Sequence, residues 1–141
     1  MTDISLTVRR VIAAPPARLF DAWTTPALLR QWFGPKDVRC IEAEVDLRVG
    51  GAYRLCNELP DGRVLWITGT FEVIERPARL VYSWRVGDEP PSRVTVSFEP
   101  RDAGTEVVVL HERIHSTAAR DGHDRGWVGC LDGLERWSAG A

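Results

Sequence analysis

Apolar residues alternate with polar ones at the start of the chain, at Ile4, Leu6, Val8 and then Ile12. Period two predicts a half-buried strand that ends before Pro15-Pro16. Leu19, Phe20 and Trp23 then fall on one face of a short helix over 16–23, with proline in its first turn. Thr25-Pro26 restarts the pattern, Thr25 as N-cap, and Leu28, Leu29 and Trp32 mark a second short helix that Gly34-Pro35 stops.

From residue 38 to 113 the alternation returns, in segments near 40–47, 51–58, 64–75, 79–86, 92–99 and 105–113. Gly50-Gly51, Pro60-Asp61-Gly62, Arg76-Pro77, the stretch from Gly87 to Pro91, and Asp102-Ala103-Gly104 separate them. Connections this short predict antiparallel neighbours in a meander. Leu80, Tyr82, Trp84 and Val86 form one inward face and Val94, Val96 and Phe98 another. After Ser116 the spacing changes to three and four, through Trp127, Cys130, Leu131, Leu134 and Trp137, which predicts a long C-terminal helix. Gly122, Gly126, Gly129 and Gly133 make a second stripe along it. Each interior glycine costs about 1 kcal/mol relative to alanine, so the stripe implies close backbone approach or spare room beside the helix. A helix that begins only near Arg125, with Gly122 in the preceding loop, is the alternative.

The fold class read from this order is α+β: a curved antiparallel sheet of six to seven strands, two short helices after strand one, and a long C-terminal helix over the sheet. All 141 residues are expected to form one domain. Six Trp against two Tyr, four Phe and one Met add a question, because such rings either fill a core or line a cavity.

Charge narrows the partners. Twenty acidic and 18 basic residues leave a net charge of −2, with every basic residue but Lys36 an arginine, and the arginines are interspersed with acids. Neither nucleic acid nor an anionic membrane is expected as a partner. The first residues carry no leader pattern and no apolar run exceeds four residues, so the expected location is cytoplasmic. Cys40, Cys56 and Cys130 match no zinc or redox spacing and are expected to be buried, inert thiols.

One motif invites catalysis. His111-Glu112-Arg113-Ile114-His115 is a literal H-E-x-x-H, the zinc-protease signature. That motif needs a helix, where residues four apart reach one metal. Here it follows Thr105-Glu106-Val107-Val108-Val109-Leu110, and on a strand the two imidazoles would lie about 13 Å apart. Zinc hydrolysis is therefore rejected, and His111 is expected to point inward beside Val107 and Val109. No other residue pattern calls for a catalytic set, a metal or a cofactor.

The runs Phe20-Asp21-Ala22-Trp23-Thr24-Thr25-Pro26 and Leu29-Arg30-Gln31-Trp32-Phe33-Gly34-Pro35 resemble the opening motif of bacterial proteins similar to the C-terminal domain of the heat-shock-protein ATPase activator. Gly50-Gly51-Ala52-Tyr53, Gly69-Thr70-Phe71-Glu72-Val73-Ile74, Arg76-Pro77-Ala78-Arg79-Leu80 and Gly126-Trp127-Val128-Gly129-Cys130-Leu131 continue the resemblance in order. It implies the START-like, birch-pollen-allergen-like helix-grip fold, in which a curved sheet grips the last helix around a cavity. The expected activity is binding of a small hydrophobic or aromatic molecule there. Trp66, Phe71, Tyr82, Trp84, Phe98 and Trp127 are the candidate walls, and His111, His123 and Tyr82 the polar groups that would orient a ligand. Two alternatives stand beside it: a stress-response module that touches a chaperone or regulatory protein, and an enzyme acting on a hydrophobic substrate in the same cavity. Either a monomer or a homodimer is expected.

Overall fold

A computed structural model describes residues 4–140. The first strand is β1 (Leu6–Ile12), followed by helices α1 (Pro16–Thr24) and α2 (Pro26–Trp32). Six strands come next: β2 (Arg39–Val45), β3 (Ala52–Glu58), β4 (Val64–Glu75), β5 (Arg79–Val86), β6 (Ser92–Arg101) and β7 (Gly104–Glu112). Helix α3 (Thr117–Gly140) ends the fold. The strands form one seven-stranded sheet in the order β1-β7-β6-β5-β4-β3-β2, and every pairing is antiparallel. The meander from β2 to β7 follows the alternation of the sequence. The pairing of the first strand with the last does not, because period two says which residues face inward and nothing about which edge a strand joins.

Two register shifts bend the sheet, one in β2 between Cys40 and Glu42 and one in β4 between Phe71 and Val73. Such bulges increase local twist and let a sheet curl. On the concave side the alternation buries Leu80, Tyr82 and Trp84 of β5, Val94, Val96 and Phe98 of β6, and Val107, Val109 and His111 of β7. The helix pair fills one end of the curl with Leu19, Phe20, Trp23, Leu29 and Trp32. Thr25 stands at the start of α2, but its side chain makes no capping bond. Proline at the first helical position already lacks one of the N–H groups that a cap would satisfy.

Helix α3 begins at Thr117, a turn and a half before Gly122, so all four glycines lie within it. They divide into two pairs. A Cβ on Gly129 would lie 2.7 Å from Pro35 Cβ, and one on Gly133 would lie 2.8 Å from the Trp32 carbonyl oxygen. The helix thus presses its backbone onto the end of α2 and the turn that follows. A Cβ on Gly122 or Gly126 would meet nothing within 4 Å. Arg10 of β1 fixes the far end of the helix through Asp132 and Glu135, at 2.8 and 3.0 Å, and Trp137 Nε1 donates to Gln31 Oε1 at 2.8 Å.

Candidate functional site

Inside the curl, four tryptophans meet. Trp23 lies 4.9 Å from Trp32 between ring centroids and stacks on Trp127 at 6.2 Å, and Trp84 lies 5.0 Å from Trp127. Phe33 joins both Trp84 and Trp127. The residual space around Trp23, Tyr53, Phe71, Tyr82 and Trp84 is about 20 Å³, on the scale of one water molecule. The aromatic excess of the sequence therefore goes mainly into packing rings against rings, and the centre of the curl is filled.

The usable space lies to one side, beneath the first half of α3. A chamber of about 100 Å³ is bounded by Phe33, Ile67, Trp84, Trp127 and Cys130, with Asn57 of β3 and His123 of α3 as its polar members and Gly122 and Gly126 as its roof. It continues past Ile67, Trp84, Gly122 and His123 into an outer cleft of about 310 Å³ that reaches Leu65, Val86 and Glu89. The chamber exists where the two unobstructed glycines leave the helix without side chains.

Hydrogen bonds hold its walls. Trp84 Nε1 donates to His123 Nε2 at 3.2 Å, so the other ring nitrogen carries the proton and donates to the Ala119 carbonyl at 2.8 Å. Trp127 Nε1 donates to His111 Nδ1, and His111 Nε2 in turn donates to Ser92 Oγ at 2.6 Å. The Ser92 hydroxyl donates to the Trp84 carbonyl at 3.2 Å, so Trp84 is held at its backbone by this chain of bonds and at its indole by His123. Burial, and secondarily the nearby His123, push the His111 imidazole down to about 3. Burial likewise pushes the Cys130 thiol up to about 12. Neither is a reactive group at neutral pH. One polar side chain in the chamber wall is unsatisfied: Asn57 is 5% exposed, and its Oδ1 finds no hydrogen-bond donor.

The eight residues singled out from the sequence separate on this geometry. Trp84, His123 and Trp127 come together in the chamber wall. Phe71 and Tyr82 line only the small central gap, where Tyr82 Oη accepts from Trp23 Nε1 at 3.1 Å. Phe98 is fully buried against Phe20 and Trp23, and His111 is enclosed with both nitrogens bonded. Trp66 does not face the interior. It pairs across the strands with Cys56, out of phase with the inward Ile67, and its ring lies under the Arg54 guanidinium at 4.5 Å. The expectation that placed Trp66 in the cavity wall is corrected by strand parity. Asn57 was missed, although it is in phase with Tyr53 and Leu55 on the inward face of β3.

The H-E-x-x-H segment is no helix. His111 and Glu112 end β7, and Arg113 has φ 61°, which turns the chain away before His115. His115 lies 3.9 Å from Glu89 at the outer cleft.

A seven-stranded antiparallel half-barrel closed by a long C-terminal helix is the helix-grip, START-like class of fold. Within that class, residues 13–138 match the model of the family described as Activator of Hsp90 ATPase homolog 1-like protein, and the chain belongs to this family. Solved structures agree. A Chromobacterium violaceum protein superposes with a TM-score of 0.87 at 26% identity, covering 94% of this chain and 95% of its own. An Aeromonas hydrophila protein described as AHSA1-like gives 0.78 at 28% identity, over 97% of this chain and 94% of its own. One from Silicibacter pomeroyi, at 22% identity and a TM-score of 0.87, covers 96% of this chain and 98% of its own and shows the shared fold alone. No curated protein matches the chain in sequence. Among the described residues no helix is long and apolar enough to cross a membrane.

Proposed function

We propose that the protein binds a small apolar or aromatic molecule between its sheet and the first half of α3. The observation that carries this reading is the chamber under Gly122 and Gly126, which opens through the cleft along Trp84 to the surface. Its walls are rigid rings held by hydrogen bonds, so a guest would find a preformed apolar surface with few polar groups, the usual character of a ligand site. The buried free thiols fit a reducing compartment, and we place this activity in the cytoplasm. Native mass spectrometry of gently purified protein, followed by thermal melts with a library of small aromatic molecules, tests the proposal. A bound or stabilising ligand whose effect disappears in Gly126→Leu is the expected result. Absence of any stabilising molecule would sink it.

A second reading is an interaction module for a chaperone or regulatory protein, as the family description suggests. It is favoured by a surface groove of about 750 Å³ beside the α2–β2 connection, lined by Arg30, Lys36, Arg39 and Arg136 against a single acid, Asp37. Among the described residues Arg30, Lys36 and Arg136 pair with no carboxylate, whereas most other arginines do. An acidic protein surface fits this groove. Stimulation of a purified chaperone ATPase that is lost in Arg136→Glu would support the second reading, and no stimulation would remove it.

A further inference from the structure

The chamber is mostly apolar, and one of its walls carries an unused hydrogen-bond donor. The polar side chains that line it are those of Asn57, His123 and Cys130. His123 is fully engaged, because Nε2 accepts from Trp84 and Nδ1 donates to Ala119. Cys130 stays a protonated thiol, which is a weak hydrogen-bonding group. Asn57 is more than nine-tenths buried, and the two ends of its amide differ. Oδ1 is sealed off, with no surface to offer the chamber and no donor facing it. Nδ2 is therefore the polar atom that this side chain turns to the chamber, and among the described residues no acceptor takes its hydrogens.

This orientation of the amide is the less costly one. Reversing it would enclose two N–H donors without partners in place of one acceptor, and orphaned buried donors are rarer in proteins than under-satisfied carbonyl oxygens. Charge then limits which acceptor can meet the free donor. No lysine or arginine lines the chamber or the cleft, and the charged side chain at the cleft is the Glu89 carboxylate. An anion would pass a like charge and be buried with no cation to pair with, which is a heavy penalty; a neutral acceptor meets neither obstacle. Size adds a further limit, since about 100 Å³ is the scale of one small ring system.

We propose that the chamber selects a neutral, ring-sized molecule whose oxygen or ring nitrogen accepts a hydrogen bond from Asn57 Nδ2, with its ring against Trp84 and Trp127. The inference rests on the ligand-binding reading above and goes further by fixing the chemical class. Aryl ketones, aldehydes and lactones are favoured by it, and plain hydrocarbons and carboxylates are not.

Acetophenone, α-methylstyrene and benzoate test it, because they share a shape and present a neutral carbonyl, a methylene and a carboxylate at the same place. Isothermal titration of the full chain with each probe supplies three affinities. The hydrocarbon leaves water more readily, so the informative quantity is the ratio of the acetophenone affinity to the α-methylstyrene affinity. That ratio should fall about tenfold in Asn57→Leu, the scale on which one buried hydrogen bond is felt. A ratio unchanged by the substitution would overturn the acceptor inference while the cavity reading stands, and so would binding of α-methylstyrene or a library compound without binding of acetophenone. Tighter binding of benzoate than of acetophenone would overturn it as well. Wild-type protein decides the matter even if Asn57→Leu does not fold: the infrared carbonyl stretch of bound acetophenone should lie below its frequency in hexane, and a hexane-like stretch would mean that no donor reaches the oxygen. If none of the probes binds and no library compound stabilises the protein, both readings fall together.

Discussion

Trp127 Nε1 lies 3.1 Å from His111 Nδ1 and donates its proton there. The contact joins the middle of α3 to the last strand of the sheet and fixes which nitrogen of His111 is protonated. With Nδ1 occupied as acceptor and Nε2 donating to Ser92, the neutral imidazole is fully bonded, and a second proton would have to displace the indole N–H.

Stability should therefore depend on pH through His111. The unfolded chain takes up this proton near the ordinary histidine value of about 6.5, whereas the folded protein admits it only near about 3. Between these limits the unfolded state binds more protons, so His111 withdraws stability as pH falls, by up to about 1.4 kcal/mol per pH unit. Urea unfolding of wild type and His111→Gln at about pH 7 and about pH 5 isolates the effect, since carboxylate titration is largely avoided there. A smaller loss on acidification is expected in the variant, and equal losses would contradict the account.

The four helix glycines should respond to alanine in opposite directions. At Gly122 and Gly126 the new methyl group meets open space, so each substitution should stabilise the fold by about 0.5–1 kcal/mol through helix propensity. At Gly129 and Gly133 it would lie 2.7 Å from Pro35 and 2.8 Å from the Trp32 carbonyl, and each should cost about 1–3 kcal/mol. Four denaturation midpoints decide it, and four shifts of the same sign would be inconsistent with the two pairs seen here.

Tyr82→Phe removes the acceptor for the buried Trp23 indole. The orphaned N–H should lower stability by about 1–3 kcal/mol, with little change in near-ultraviolet circular dichroism because the ring remains. A neutral substitution would mean that Trp23 has another partner.

The thiols should be silent in the folded protein. Burial pushes Cys40 up to about 11 and Cys130 up to about 12, and all three cysteines are buried. Titration with a disulfide reagent near pH 8 should find no fast-reacting thiol until denaturant is added, after which three should react. One stoichiometric, rapid reaction in the native state would contradict this.

Strand parity in the sequence was enough to aim Tyr82, Trp84, Phe98 and His111 inward, because period two survives in β5, β6 and β7, where no bulge interrupts it. It was also enough to exclude Trp66, which is out of step with Ile67 on the same strand; aromatic identity outweighed parity in that reading. The glycine stripe was visible, but its division was not, since close approach at Gly129 depends on where Pro35 lies, more than ninety residues earlier. Asn57 escaped notice for a related reason. An asparagine on an inward strand face reads as ordinary until the neighbours that fail to bond it are known, and those neighbours come from β4, β5 and α3.

The uneven attachment of α3 has a consequence for hydrogen exchange. Its buried residues, Trp127, Cys130, Leu131 and Leu134, begin only at its midpoint, and Arg10 and the end of α2 hold the helix beyond that point. The first ten residues bury none. Amides near 120–125 therefore open locally, at a small fraction of the global unfolding free energy, while those near 128–134 exchange only when the whole fold is lost. The terminal turns of the helix thus form a low-energy doorway, and a molecule lodged beneath them would register first as slowed exchange at residues that it leaves otherwise unmoved.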